Sequence, residues 1–183
     1  MSETRSKTAT VRNRFLVMLV AVATSLGLVT VVGGGQAAAS IGGAQVGLEQ
    51  FWVNGCGMPK VKVRAWKRKG NYKTVIMLDG MRAQYDYSGW EINTNIQEMV
   101  RSGVNVVEPI GGPASFYTNW DAPSNFNNQP FRYMWNCVIT NTLIKALDRR
   151  GYRVGKSRRY AIMGLSMGGN AALTIGARSE ERR

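Results

Sequence analysis

The stretch Gly164-Leu165-Ser166-Met167-Gly168 constrains this chain more than any other. It joins two unlike segments. Arg159-Tyr160-Ala161-Ile162-Met163 before it reads as a strand, and Gly169 to Ala177 after it is small and apolar, as a buried helix is. A chain that passes from strand to helix through G-x-S-x-G must turn sharply, and the serine backbone is strained at the turn. The turn lifts the hydroxyl above the C-terminal edge of a sheet. The helix N-terminus then points at it and favours a developing oxyanion. Ser166 is therefore the candidate nucleophile, and the Met167 N–H a candidate oxyanion donor. A glycine-rich turn without chemistry is the plainer alternative.

The preceding chain alternates strand and helix. Val61-Lys62-Val63-Arg64-Ala65-Trp66 alternates apolar and polar, as a half-buried strand does. Lys67 to Tyr72 reads as a basic hairpin turn, and Thr74-Val75-Ile76-Met77-Leu78 as a strand buried on both faces. Asn93 to Ser102 has apolar residues at helical spacing, with Gly103 as a C-cap. Val104 to Ile110 is a further strand, closed by Gly111-Gly112-Pro113. Ser115 to Pro130 is a polar, aromatic loop long enough to be functional. Trp135 to Arg150 is helical in pattern and ends at Gly151. This alternation predicts an α/β fold, a mainly parallel sheet with helices on both faces. An oxyanion hole needs a second N–H from the loop after an earlier strand. Leu78-Asp79-Gly80-Met81-Arg82 is that loop, which makes Met81 the second candidate donor; an ordinary Asp-Gly turn is the alternative.

Composition narrows the chemistry. Among 183 residues there is no histidine, which excludes a Ser-His-Asp triad within this sequence, a Cys-His dyad and any His-liganded metal site. No metal or other cofactor is implied. The two cysteines, Cys56 and Cys137, are too few for a disulfide scaffold; one bridge is open to an exported chain, and their spacing does not decide it. Lys plus Arg is 24 against 11 Asp plus Glu, a net charge of +13. The excess suits solubility and an anionic envelope or acidic polymer. Nucleic acid is not expected as a partner, because no recognition motif is present.

Arg5, Lys7, Arg12 and Arg14 precede an uncharged apolar run from Phe15 to Val32, and Ala37-Ala38-Ala39 follows. This is the pattern of a secretory signal peptide over residues 1–39, cleaved before Ser40. The run is also just long enough to span a bilayer, so a retained membrane anchor is the alternative. Otherwise no membrane contact is expected.

The run Leu78-Asp79-Gly80-Met81-Arg82-Ala83-Gln84-Tyr85-Asp86-Tyr87-Ser88-Gly89-Trp90-Glu91-Ile92-Asn93-Thr94 resembles the L-D-G-L-R-A-Q-x-D-Y-x-G-W-D-I-N-T signature of actinobacterial mycolyltransferases of the antigen 85 type. So do Gly111 to Trp120, the Tyr133-Met134-Trp135 step and the G-L-S-M-G turn. The resemblance implies an α/β-hydrolase fold for residues 40–183. It implies a secreted serine acyltransferase or esterase that moves a mycolyl chain from trehalose monomycolate to a second one or to cell-wall arabinogalactan. Residue by residue it implies Ser166 as nucleophile, Met81 and Met167 as oxyanion donors, and Asp79, Arg82 and Asn93 at the trehalose hydroxyls. Charged and amide groups with several donors and acceptors suit a polyol. Trp90, Phe116, Tyr117 and Trp120 then line the mouth of the site, with core packing as the alternative for each.

Three features depart from the family pattern. Glu91 stands where relatives have Asp, Cys137 falls in a helix, and the sequence closes at Arg183, shortly after Ser166. The last strands, the catalytic acid and the histidine of such folds are thus expected to be missing. The sheet is expected to end at the nucleophile helix with an open edge. The alternative function is a catalytically dead remnant that binds carbohydrate, lipid or envelope partners; an adhesin role is a third reading.

Overall fold

The structure is a computed structural model, and it describes residues 47–123, 130–152, 154 and 160–180. The expected signal segment, its Ala39 boundary and the alternative anchor lie outside the described residues. Among the described residues no helix is long and apolar enough to cross a membrane.

Strands β1 (Leu48–Gly55), β2 (Met58–Trp66) and β3 (Lys73–Leu78) come first. Short helices α1 (Gly89–Asn93) and α2 (Ile96–Arg101) follow, and β4 (Val104–Pro109) closes the first half. Helix α3 (Trp135–Cys137) continues through a π-helical stretch, Val138–Leu143, into α4 (Ile144–Arg149). Strand β5 (Ala161–Gly164) and helix α5 (Met167–Glu180) complete the order.

The five strands form one sheet in the order β1-β2-β4-β3-β5. It is mixed: β1 with β2 and β2 with β4 are antiparallel, while β3 pairs parallel with β4 and with β5. The parallel half carries the candidate site. The apolar run of β3 feeds both faces, as a buried strand must. Ile76 and Leu78 join a core with Val63, Ala65 and Val107, roofed by the 135–149 helices and by Ala171 and Ile175 of α5. Val75 and Met77 join Trp66 and Val106 on the other face, under Ile96 and Val100 of α2. Each fully buried aliphatic contributes roughly 1.5–3 kcal/mol.

Two expectations are corrected and one strand is added. Lys67 to Tyr72 is not a hairpin turn, because β2 and β3 do not pair; each pairs with β4, which lies between them. Asn93 to Ser102 is not one helix. Ser88 caps α1 and forms a reciprocal capping box with Glu91, so that helix begins at Gly89; Asn95 caps α2 separately. Strand β1 went unanticipated, although Phe51 and Val53 are buried and Trp52 is exposed, as alternation requires. Cys56, in the turn after β1, is disulfide-bonded to Cys137 of α3, with Cα atoms 6.0 Å apart. The bridge ties the outer hairpin to the helical layer.

Candidate active site

Ser166 occupies the turn between β5 and α5 with φ +52°, in the left-handed region that non-glycine residues rarely adopt. The two flanking glycines explain how the turn closes. A Cβ on Gly164 would overlap the Gly168 carbonyl. A Cβ on Gly168 would overlap the Leu78 carbonyl and lie 2.6 Å from the Asp79 carbonyl oxygen. Backbone bonds lock the turn: Leu165 N donates to Leu78 O at 3.1 Å, Gly168 N to Leu165 O at 2.9 Å, and Asn170 N to Ser166 O at 3.1 Å. Ser166 is exposed, and its hydroxyl has no hydrogen-bond partner among the described residues.

The end of β3 lies against this turn. A Cβ added to Gly80 would sit 3.9 Å from Ser166 Cβ and 3.8 Å from Leu165 O. Met81 follows directly; its carbonyl accepts from Ala114 N at 3.0 Å. Among the described residues neither the Met81 N–H nor the Met167 N–H has an acceptor. The Met167 side chain is buried, and its sulfur accepts from Phe116 N at 3.2 Å.

A pocket of about 380 Å³ opens beside the turn, lined by Asp79, Gly80, Met81, Arg82, Asn93 and Leu165 among others. Four sequence-predicted residues, Asp79, Met81, Arg82 and Asn93, therefore share one cleft next to Ser166. Asp79 is buried, and its carboxylate is engaged on both oxygens: Gly80 N donates to Oδ1 and Gly89 N to Oδ2, each at 2.7 Å. Each oxygen keeps a second lone pair for a ligand hydroxyl. Asn93 Nδ2 donates to Gly89 O at 2.7 Å, which leaves its amide oxygen to accept. The Arg82 guanidinium is exposed and has no ion pair among the described residues.

The aromatic residues divide. Trp90 does not line the pocket; it packs against the core under α2, and its indole N–H donates to Leu78 O at 2.9 Å. Trp120 stacks edge-on against Tyr133 at 5.3 Å and donates Nε1 to Ser115 O. Tyr117 is buried; its hydroxyl accepts from Asp79 N at 3.0 Å and faces Gly111 O at 3.5 Å. Burial pushes that phenol up, so it stays neutral and serves both bonds. Phe116 is the exposed member, on a loop where Ala114, Phe116 and Tyr117 all take positive φ.

Sequence reasoning missed a buried cluster beneath α1: Arg64, Glu91 and Glu108. Two signals were present. Ser88-x-x-Glu91 is a capping-box pattern, and Glu108 is the one charged residue in the buried run Val104 to Ile110.

The family model described as "Putative esterase" matches residues 57–182. The chain is 38% identical over 171 residues to the diacylglycerol acyltransferase/mycolyltransferase Ag85B of Mycolicibacterium smegmatis, covering 92% of this chain and 52% of that protein. It is 32% identical over 174 residues to Ag85C of Mycobacterium avium, covering 94% of this chain and 49% of that one. The crystal structure of Mycobacterium tuberculosis MPT51 (FbpC1) superposes with a TM-score of 0.59 at 26% identity, over 73% of this chain and 47% of that one. The chain spans about half the length of the curated relatives it matches. Its sheet, elbow and helix α5 are those of an α/β-hydrolase, and the chain belongs to this esterase family, with acyltransferases as its relatives.

Proposed function

We propose that the chain forms the nucleophile-bearing part of a secreted serine acyltransferase of the mycolyltransferase type, acting on trehalose mycolates at the cell envelope. In this reading Ser166 Oγ attacks the ester carbonyl and yields its proton to a base. The tetrahedral oxyanion lies between the Met81 and Met167 N–H groups. Collapse releases the sugar, which takes up the proton, and leaves an acyl-serine. A second sugar hydroxyl, of trehalose ester or arabinogalactan, then attacks and carries the acyl chain away. Asp79, Arg82 and Asn93 hold the sugar, and Trp90 supports the turn from beneath. One observation carries the reading: a left-handed, exposed Ser166 at a strand–helix elbow stands beside a pocket that Asp79, Arg82 and Asn93 line, with two N–H groups, those of Met81 and Met167, that have no acceptor among the described residues. A preorganised donor of this kind is worth roughly 3 kcal/mol in the transition state.

The sequence holds no imidazole to take the Ser166 proton. Serine without a base is a poor nucleophile. The test is therefore hydrolysis of a short-chain nitrophenyl ester by three proteins: this chain, the chain extended with the carboxy-terminal half of the M. smegmatis relative, and the extended chain with Ser166→Ala. The extended chain is expected to turn over, and the other two to lie several orders of magnitude lower. Equal steady-state rates for the first two would mean that a base other than histidine serves Ser166. An extended chain that binds trehalose without hydrolysing the ester would favour the binding-protein reading.

A further inference from the structure

The interior holds a charge cluster that ester chemistry does not use. Arg64 on β2 stands directly opposite Glu108 on β4 in the antiparallel register. Arg64 Nε lies 2.7 Å from Glu91 Oε1, and Nη2 donates to Glu91 Oε2 at 2.7 Å. Nη1 donates to Gln50 Oε1 at 3.0 Å. The Arg64 and Glu91 side chains are 5% and 3% exposed, and Glu108 is fully buried. Neither Glu108 oxygen has a hydrogen-bond donor among the described residues. The guanidinium is thus taken up by both Glu91 oxygens and by Gln50, and Glu108, opposite it in register, receives no donor from it.

A lone buried carboxylate with no donor is strongly disfavoured, and it escapes that cost by holding a proton. The titratable and charged groups whose fields reach Glu108 come from four elements: Glu91 on α1, Arg64 on β2, Asp79 in the turn after β3, and Tyr117 in the loop after β4. Burial, then the Glu91 charge, holds the Glu108 carboxyl well above the usual range; Arg64 opposes them without winning, and Asp79 adds to the rise. A protonated Glu108 has one O–H to give, and the Glu91 carboxylate beside it is an acceptor.

That pair is linked to the candidate site by a short run of bonds. Glu91 Oε1 accepts from Ser88 N at 3.2 Å, and Ser88 is the N-cap of α1. The next residue, Gly89, donates its N–H to Asp79 Oδ2 at 2.7 Å. Asp79 Oδ1 accepts from Gly80 N at 2.7 Å, and Met81 follows.

We propose that Glu108 is a positioning residue: as a neutral acid it donates to Glu91, and this carboxyl–carboxylate pair fixes α1 and, through Ser88, Gly89 and Asp79, the Gly80–Met81 turn beside Ser166. Loss of the proton sets a second negative charge against Glu91, with no second guanidinium among the described residues to balance it. Helix α1 then loses its seat on the sheet, and the turn follows.

The test needs neither substrate nor turnover. In the ¹⁵N-labelled full chain, the Gly80 and Gly89 amide shifts and their exchange protection are followed from about pH 5 to about pH 9. Both are expected to pass through one shared transition in the wild type. Glu108→Gln keeps a donor toward Glu91 at every pH, so its Gly80 and Gly89 signals should match the low-pH wild type throughout. Glu91→Gln frees Arg64 for Glu108, and its transition should move to lower pH. The proposal is overturned if the wild type shows no shared transition in this range, if Glu108→Gln shows the same transition as the wild type, or if Glu108→Gln loses both signals at every pH.

Discussion

Gly168→Ala asks whether the elbow and the end of β3 form one rigid unit. The new Cβ would stand 2.6 Å from the Asp79 carbonyl oxygen and overlap that of Leu78. Ordinary contact distances begin near 3.5 Å, so one backbone must retreat by about 1 Å. The Leu78 carbonyl is poorly placed to do so, because it accepts from Leu165 N at 3.1 Å and from Trp90 Nε1 at 2.9 Å. Two weakened hydrogen bonds cost about 1 kcal/mol each. Overpacking adds roughly 1–3 kcal/mol, and alanine returns about 1 kcal/mol of helix propensity. The net loss is roughly 2–4 kcal/mol, a large share of a typical domain's stability of about 5–15 kcal/mol. Urea unfolding followed by tryptophan fluorescence reads it, since the chain has 5 Trp. The midpoint should fall with an unchanged slope. Gly176→Ala is the control on the same helix: apart from the helix's own backbone and its chain neighbours, nothing among the described residues lies within 4 Å of its added Cβ, so it should stabilise by roughly 0.5–1 kcal/mol. If Gly168→Ala unfolds at the wild-type midpoint, the strand end and the helix separate cheaply and the rigid-unit argument is wrong.

Replacing Cys56 and Cys137 by Ser opens a loop with a sequence separation of 81, for which chain entropy gives a loss of about 4.5 kcal/mol; a loss below about 1 kcal/mol by the same urea assay would contradict it. For Glu108 the folded-state pKa lies above the unfolded value near 4.5, so the stabilisation is complete below that pH and is lost as pH rises toward the folded value. The slope in that window is about −1.4 kcal/mol per pH unit, and its disappearance in Glu108→Gln is the check. Ser166→Gly relieves a left-handed backbone and should stabilise by about 1 kcal/mol while abolishing ester turnover in the extended chain; a destabilised variant would show that φ +52° carries no strain.

The parts of the fold that were legible are those with a local cause. The β3 run is continuous and apolar because it is buried on both faces, and the elbow is spelled by two glycines whose hydrogens are all the space allows. What was illegible depends on partners distant in sequence. Lys67 to Tyr72 has hairpin composition, yet β4, which follows two helices later, takes the place between β2 and β3. Nothing near Arg64 in sequence indicates that register will set it opposite Glu108, or that α1 will dock Glu91 onto it. The place of Trp90 between Asp79 and Asn93 in sequence suggests a wall of the same pocket. Its ring packs against the core instead, where the indole N–H meets the Leu78 carbonyl, a partner 12 residues away in sequence.

The Leu78 carbonyl shows why three separate sequence stretches act as one device. It receives Leu165 N from the elbow and Trp90 Nε1 from α1, and Gly168 lies so close that no side chain fits. Leu78-Asp79-Gly80, Gly89-Trp90 and Gly164 to Gly168 are therefore specified against a single oxygen. A change in any one of them shifts that atom, and with it the Met81 turn that stands beside Ser166. The same logic bears on Asp79, whose oxygens join Gly80 to Gly89 at 2.7 Å each. Its role within the fold is to close the turn on α1, and under the proposed function a sugar hydroxyl would meet a carboxylate already fixed in place. Preorganisation of that kind lowers the cost of ordering the site when ligand arrives.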